Sequence, residues 1–213
     1  MFLLAIFFAI ALPTSTAEAD ASDTVNQRIT VIAIDDFHAV SNESVSNAVY
    51  SAHAVVSNFK SNDTLYLSFM SDPKTIFGPY RGPGHDFNQI ESVLERGLSE
   101  VNITSKLDIT DVVTNVYNLL ATKGAPTGSG VHLLGGSDVS MTSEDSAKFL
   151  DPLSDLFKAN SWQISGIELP EASDSMKSLL KNISEKSGND AFNLSTIDGL
   201  KGFADHIMAE DNL

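Results

Sequence analysis

A run of apolar, mostly β-branched residues from Ile29 to Ile34 ends directly at the acidic pair Asp35 and Asp36. The run lacks a regular alternation of polar and apolar residues, which is typical of a strand covered on both faces of a parallel sheet. Open α/β sheets bind ligands at the carboxyl ends of their strands. The sequence therefore places two carboxylates at the edge where such domains carry a binding site.

The rest of the chain alternates between strand-like and helix-like patterns. The predicted strands span residues 28–34, 63–70, 75–77, 130–134, 161–169 and 190–194, and the predicted helices span residues 41–59, 87–98, 109–121, 143–158, 172–186 and 197–208. This alternation predicts an α/β fold with a doubly wound, mostly parallel six-stranded sheet and helices on both faces. The hairpin at residues 63–77 should supply one antiparallel strand at an edge of the sheet.

Local signals refine this pattern at several points. Leucine and phenylalanine alternate with Tyr66 and Ser68 in strand 63–70, which predicts that one face of the strand is less buried. Residues 78–84 are rich in glycine and proline and are predicted to form a loop. Pro152 should interrupt helix 143–158, and Gly188 should end helix 172–186.

The first nineteen residues have the pattern of a secretory signal peptide. Residues 2–12 are uninterrupted apolar residues, and a small-residue cleavage pattern ends at Ala19. The apolar stretch is well short of the roughly 20 residues that span a bilayer, so we expect a cleaved leader and no membrane span after its removal. The predicted organisation is a signal peptide at 1–19, a polar leader at 20–27, one domain at 28–208 and a tail at 209–213.

Sequons for N-glycosylation and the absence of cysteine also bear on the compartment. The candidate glycosylation sites are Asn42, Asn62, Asn102, Asn182 and Asn193. They favour a secreted, extracellular glycoprotein. The chain has no cysteine, which excludes a disulfide framework and any thiolate nucleophile or metal ligand.

The charge of the chain limits its partners. The formal net charge is -15 at pH 7 and the pI is about 4.5. A phosphate backbone would be repelled by such a surface, so a nucleic-acid partner is not expected. Long-range attraction favours a basic or cation-bearing partner instead.

The order of the predicted elements resembles a von Willebrand factor A-type domain over nearly the whole of residues 28–208. The resemblance rests on an Asp-ended first strand, a long first helix, an antiparallel hairpin, two consecutive helices and then three strand–helix units. The last strand and helix, which carry Phe192, Leu200, Phe203 and Ile207, also resemble the end of that family's domain. The resemblance implies the fold described above and a role in adhesion or binding.

The family's metal ion-dependent adhesion site is degenerate in this sequence. The resemblance implies ligands from a D-x-S-x-S loop, a threonine before a central helix and an aspartate after the fourth strand. Asp35 and Thr110 match, and they remain weak candidates for metal ligands. Phe37 and Ala39 occupy the serine positions and Gly135 the last aspartate position, so three of the five ligand positions have no side-chain oxygen. A family-type site for Mg²⁺ is therefore not expected.

Catalytic signatures are missing from the sequence. The chain has no G-x-S-x-G nucleophile elbow, no G-x-G-x-x-G after the first strand and no metal-binding spacing among its five histidines. His53 and His132 have the pattern of packed residues, whereas His38 lies on the loop at the ligand-binding edge. We therefore expect no enzyme activity and no resident cofactor.

Together these features predict a secreted module that binds an extracellular protein or glycan through loops 35–41, 108–111 and 135–140. The candidate partner-binding residues are Asp35, Asp36, His38, Thr110, Asp111, Ser137 and Asp138. Three alternatives remain. They are a cation-dependent adhesion domain with a rearranged Mg²⁺ or Ca²⁺ site, an enzyme of another doubly wound α/β family, and a structural matrix component.

Overall fold

A computed structural model describes residues 27–38, 46, 49, 57, 63–81, 86–99, 107, 109–139, 141–170 and 172–210. The predicted signal peptide and residues 20–26 lie outside the described residues. So does most of predicted helix 41–59, of which Ser46, Val49 and Ser57 are described and helical.

The described strands form one sheet, and the described helices follow the predicted order. The strands are β1 (Ile29–Ile34), β2 (Thr64–Phe69), β3 (Ile76–Arg81), β4 (Gly130–Gly135), β5 (Gln163–Glu168) and β6 (Ala191–Asn193). The helices are α1 (Phe87–Ser99), α2 (Ile109–Lys123), α3 (Ser143–Asp145), α4 (Asp151–Ala159), α5 (Asp174–Ser187) and α6 (Ile197–Glu210). A short 3₁₀ turn, Asp36–His38, follows β1, and a π-helical turn, Ser146–Leu150, joins α3 to α4.

The sheet has the strand order β3-β2-β1-β4-β5-β6. All neighbouring strands are parallel except β2 and β3, which are antiparallel. The predicted fold class and the antiparallel edge strand are therefore confirmed. This order puts β1 and β4 side by side at the centre, so their carboxyl-terminal loops are neighbours.

Strand β1 divides its side chains between two hydrophobic clusters, one on each face of the sheet. Ile32 and Ile34 belong to one cluster, and Val31 and Ala33 belong to the other. All four side chains are fully buried. The apolar run is therefore covered on both faces, as its composition predicts.

Strand β2 corrects the prediction that one of its faces is less buried. Tyr66 and Ser68 are buried, with exposed fractions of 6% and 1%. Tyr66 packs in the cluster that contains Ile109, Val112 and Val113 of α2. A helix covers this face, and tertiary packing therefore overrides the alternation in the sequence.

Strand β3 corrects the prediction of a loop at residues 78–84, because the strand continues to Arg81. The peptide bond between Gly78 and Pro79 is cis, and the pairing with β2 shifts register between Leu65 and Leu67. Gly78 has a φ of 124°, and a Cβ there would lie 2.9 Å from the Leu65 carbonyl oxygen. Glycine and proline are tolerated here because β3 is an edge strand with an irregularity.

The predicted interruption and end of the later helices are confirmed. Helical residues 143–159 contain the π-helical turn immediately before Pro152, whose nitrogen has no hydrogen to donate. Helix α5 begins at the N-cap Ser173, whose hydroxyl accepts a hydrogen bond from the Met176 amide, and ends at Gly188 with a φ of 91°. Among the described residues, no helix is long and apolar enough to cross a membrane.

Candidate functional site

The loops that follow β1 and β4 meet the first turn of α5 at the carboxyl edge of the sheet. Asp35 and Asp36 come from the first loop, Ser137 and Asp138 from the second, and Ser173 and Ser175 from the start of α5. Hydrogen bonds among these residues join three segments that are far apart in the chain. They define the candidate site.

Asp35 is fully buried, and its carboxylate accepts hydrogen bonds from four donors in the described part of the chain. Oδ1 accepts from the Phe37 amide at 3.1 Å and from the Ser137 hydroxyl at 2.8 Å. Oδ2 accepts from the amides of Gly136 at 2.9 Å and Ser137 at 2.6 Å. Two carboxylate oxygens offer about four lone-pair sites, so protein donors occupy them all.

Ser137 joins the β1 loop to helix α5. Its amide and hydroxyl both donate to Asp35, and its carbonyl oxygen accepts a hydrogen bond from the Ser173 hydroxyl at 2.9 Å. The Ser173 amide in turn donates to the Gly136 carbonyl oxygen at 2.9 Å. The β4 loop is therefore held from both sides.

Asp138 is exposed at the outer end of this network. The Ser175 hydroxyl donates to Asp138 Oδ1 at 2.5 Å, and the same hydroxyl oxygen accepts a hydrogen bond from the Val139 amide at 3.0 Å. These contacts fix the loop so that the Asp138 carboxylate lies at the surface of the edge.

Asp36 is buried and joins the β1 loop to the turn after β2. Its Oδ1 accepts a hydrogen bond from the Ser71 amide at 3.0 Å, and its Oδ2 accepts one from the Ser71 hydroxyl. Burial raises the pKa of Asp36 above its usual value, and the negative charge of Asp35 adds to that effect, whereas the hydrogen bonds from Ser71 lower the pKa. Asp36 therefore ionises less readily than an exposed aspartate.

Thr110 and Asp111 lie in the first turn of α2. Helix α2 packs against β1 and β4 and precedes β4 in the chain, so its first turn points to the carboxyl edge. Thr110 is half-buried and Asp111 is exposed. The backbone of His38 lies in the 3₁₀ turn after β1, and its side chain is not among the described parts of the chain. Asp108, Ser140 and residues 39–45 lie outside the described residues.

Gly135, at the position where the family's last aspartate would lie, has no room for a side chain. A Cβ there would lie 2.5 Å from the Met176 sulfur, and Met176 is fully buried in α5. An aspartate at this position would therefore require the Met176 side chain to move. Among the described residues, no group of three or more histidine, aspartate or glutamate side chains is arranged to hold a metal ion.

Two of the five predicted glycosylation sites fall within the described residues. Asn182 is half-buried on α5 and its Nδ2 donates to the Ser146 hydroxyl at 3.3 Å. Asn193 is half-buried at the end of β6 and its Nδ2 donates to Glu168 Oε2 at 2.9 Å. Asn42, Asn62 and Asn102 lie outside the described residues, and glycosylation of all five sites stays a prediction.

Three serines of the site were not predicted from the sequence. Ser173 and Ser175 precede and open α5, and a serine at a helix start does carry a capping signal. Ser71 carries no such signal, because its partner Asp36 lies on another loop. The sequence reveals local capping but not hydrogen bonds between loops.

Solved structures with this fold include von Willebrand factor A domains. A von Willebrand factor type A protein from Catenulispora acidiphila matches with a TM-score of 0.59 at 12% identity, over 87% of this chain and 43% of that chain. The manganese-loaded TRAP protein of Plasmodium vivax matches with a TM-score of 0.56 at 11% identity, over 75% of this chain and 63% of that one. The N-terminal domain of TFIIH p34 matches with a TM-score of 0.51 at 14% identity, over 85% of this chain and 96% of that domain.

These matches define the class of fold. The chain has the doubly wound α/β fold of von Willebrand factor A domains, and the resemblance predicted from its sequence is confirmed at the level of the fold. It spans less than two thirds of the length of the Catenulispora and Plasmodium chains. No family model and no curated protein matches the sequence.

Proposed function

We propose that this chain is a secreted binding module with a von Willebrand factor A fold. It recognises an extracellular protein or glycan with a basic surface through the loops at the carboxyl edge of the sheet. Recognition does not depend on a family-type metal ion, and the module carries out no catalysis.

The hydrogen bonding of Asp35 is the observation that carries this proposal. A carboxylate that accepts four hydrogen bonds from protein donors has no lone pair left to coordinate a cation unless those bonds are broken. The Met176 side chain fills the space beside Gly135, where a further ligand would be needed. Both features favour an edge that binds its partner directly.

The acidity of the same edge supports a basic partner. Asp111 and Asp138 are exposed there, and the chain as a whole has a formal net charge of -15. Surface carboxylates speed encounter with a positively charged partner and select against acidic ones. The predicted leader at residues 1–19 and the sequons support a secreted location.

The proposal is tested by charge reversal at the two exposed aspartates. We expect the double variant Asp111→Lys/Asp138→Lys to capture its partner from the native extracellular fluid about tenfold less well than the unchanged protein. The matched control is Asp155→Lys/Asp205→Lys, which reverses two exposed carboxylates on α4 and α6. Captured proteins and glycans are measured by quantitative mass spectrometry.

A second arm of the experiment addresses metal dependence. Capture by the unchanged protein should be the same with and without the chelator EDTA. A loss of capture in EDTA would contradict the metal-independent mode and favour the cation-dependent alternative. Equal capture by the edge variant and the control variant would place the binding surface elsewhere on the molecule.

A further inference from the structure

A cavity open to solvent lies beside the acidic edge, between the turn that joins β2 to β3 and the last turns of α1. Phe69, Phe77 and Val93 give it an apolar lining. The Phe69 and Phe77 rings meet edge to face, with their centroids 5.9 Å apart. Gly97 lets the helix approach closely, since a Cβ there would lie 2.0 Å from the Phe69 ring.

The size of the cavity suits one side chain. Its volume is about 170 Å³. This is far above the roughly 10–15 Å³ that a single water molecule needs. It is below the roughly 300–1,000 Å³ that is usual for small-molecule sites. The cavity therefore fits a single inserted residue better than a metabolite or cofactor.

Asp36 and Asp72 also line the cavity, and hydrogen bonds hold each carboxylate in place. Asp36 is held by the amide and hydroxyl of Ser71. Asp72 Oδ2 accepts a hydrogen bond from the Thr75 hydroxyl at 2.5 Å. Arg96 and Gly97, near the carboxyl end of α1, also line the cavity, and the carbonyl groups of a helix end favour positive charge.

Arg96 is the positively charged residue that lines the same cavity. Its side chain is exposed, and its charge also acts on the phenol of Tyr80 in β3. With two carboxylates and one guanidinium, the charged lining has a formal charge of -1. An inserted cation is therefore favoured over an inserted anion, although Arg96 opposes it.

We propose that this cavity binds a lysine side chain of the partner protein. The aliphatic stem of the lysine packs against Phe69 and Phe77, and its ammonium group lies between the carboxylates of Asp36 and Asp72. Lysine combines an apolar stem with a compact charge, which matches a cavity that has both apolar and acidic lining residues. The inference rests on the proposed function, because it assigns a contact residue to the basic partner.

A short peptide tests the inference without the natural partner. The probe is acetyl-Gly-Lys-Gly-amide, added to the ¹⁵N-labelled protein while the amide signals of Ser71, Asp72 and Thr75 are followed by NMR. We expect saturable shifts with a dissociation constant in about the millimolar range, since one side chain supplies the contact. The same peptide with Nε-acetyl-lysine keeps the stem but lacks the charge, and it should give no saturable shift. Equal shifts with both peptides would overturn the proposal.

Three variants separate the cation from other ligands. Asp72→Asn should weaken peptide binding by about fivefold or more, whereas Asp155→Asn, which removes the same charge from an exposed site on α4, should leave it unchanged. Arg96→Gln should strengthen binding by about twofold or more because it removes a like charge. Weaker binding after Arg96→Gln would mean that the cavity takes an anion, and the proposal would be wrong.

The outcomes also distinguish this inference from the proposed function. Peptide binding that depends on Asp72 supports the lysine site even if the Asp111→Lys/Asp138→Lys variant still captures its partner. Loss of capture in that variant, with no binding of the peptide, leaves the proposed function in place and overturns the lysine site.

Discussion

Asp35 is the residue whose role differs most between the family pattern and this structure. Its position after β1 follows from the sequence, because an acidic residue directly after a buried strand is visible there. Three of its four hydrogen bonds do not follow, because Gly136 and Ser137 are about a hundred positions away in the chain. Charge-assisted hydrogen bonds of this kind offset the cost of burying a carboxylate. Asp35 thus braces the loops after β1 and β4.

Ser137→Ala should lower the free energy of unfolding by about 1–3 kcal/mol. The substitution removes the hydroxyl that donates to Asp35 Oδ1 at 2.8 Å and leaves a buried charged oxygen with one donor fewer. Urea unfolding followed by circular dichroism measures the change. The control is Ser178→Ala, an exposed serine on α5, which should change the free energy by less than about 0.5 kcal/mol. Equal effects of the two substitutions would show that Asp35 does not depend on the Ser137 hydroxyl.

At the scale of the elements, a glycine can set how closely a helix packs on the sheet. The amphipathic patterns of α1 and α2 were sufficient to predict both helices within two residues. The sequence did not reveal how closely α1 lies to β2, because one glycine in a helix has the same local signature whether or not an aromatic ring faces it. Only the fold brings Gly97 against Phe69.

Two glycine-to-alanine substitutions should therefore change stability in opposite directions. Gly97→Ala places a methyl group 2.0 Å from the Phe69 ring, and overpacking should outweigh the gain in helix propensity and destabilise the protein by about 1–2 kcal/mol. Gly202→Ala in α6 meets Phe192 at an ordinary 3.7 Å and should stabilise the protein by about 0.5–1 kcal/mol. Thermal unfolding of both variants checks this pair. A stabilised Gly97→Ala protein would contradict the tight contact between α1 and β2.

Two wrong predictions about strands, the less buried face of β2 and the loop at residues 78–84, also have their causes in the packing of elements. Tyr66 and Ser68 have the composition of a half-exposed face, but α2 covers them. Pro79 has the composition of a loop, but an edge strand accepts it. In both cases the burial and the length of a strand depend on the elements beside it. A local sequence pattern does not show which elements those are.

At the scale of the whole molecule, a buried histidine makes the stability of the fold depend on pH. His132 lies in β4, is 5% exposed and meets the Phe203 ring edge to face at 5.7 Å between centroids. Burial, together with the positive charges of His206 and Arg28, lowers its pKa from 6.5 to about 3. The packed role predicted for His132 agrees with this position.

Stability should therefore fall as the pH falls from about 6.5 towards 3. The unfolded chain takes up a proton at His132 near pH 6.5, whereas the folded chain stays neutral there until about pH 3. The loss from this site is at most about 3 kcal/mol between pH 6.5 and pH 4. Asp36 acts in the opposite sense, since its raised pKa adds stability at low pH that is lost as the pH rises.

His132→Leu tests the link between this histidine and acid sensitivity. The variant keeps an apolar side chain under Phe203 but cannot be protonated, so its urea midpoint should vary less with pH between 7 and 4 than that of the unchanged protein. The midpoints are measured at half-unit pH steps. Parallel curves for the two proteins would assign the acid sensitivity to other groups.

The irregular edge strand β3 has a consequence for crowding. A regular edge strand has unpaired backbone N–H and C=O groups, which can pair with the same strand of a second copy and nucleate fibrils. Here Pro79 lacks an amide hydrogen, and the pairing of β3 with β2 shifts register between Leu65 and Leu67. Copies held close together at a surface would therefore meet at an edge that resists strand exchange. Pro79 therefore interrupts the row of backbone hydrogen-bonding groups that a second copy would need in order to add a strand.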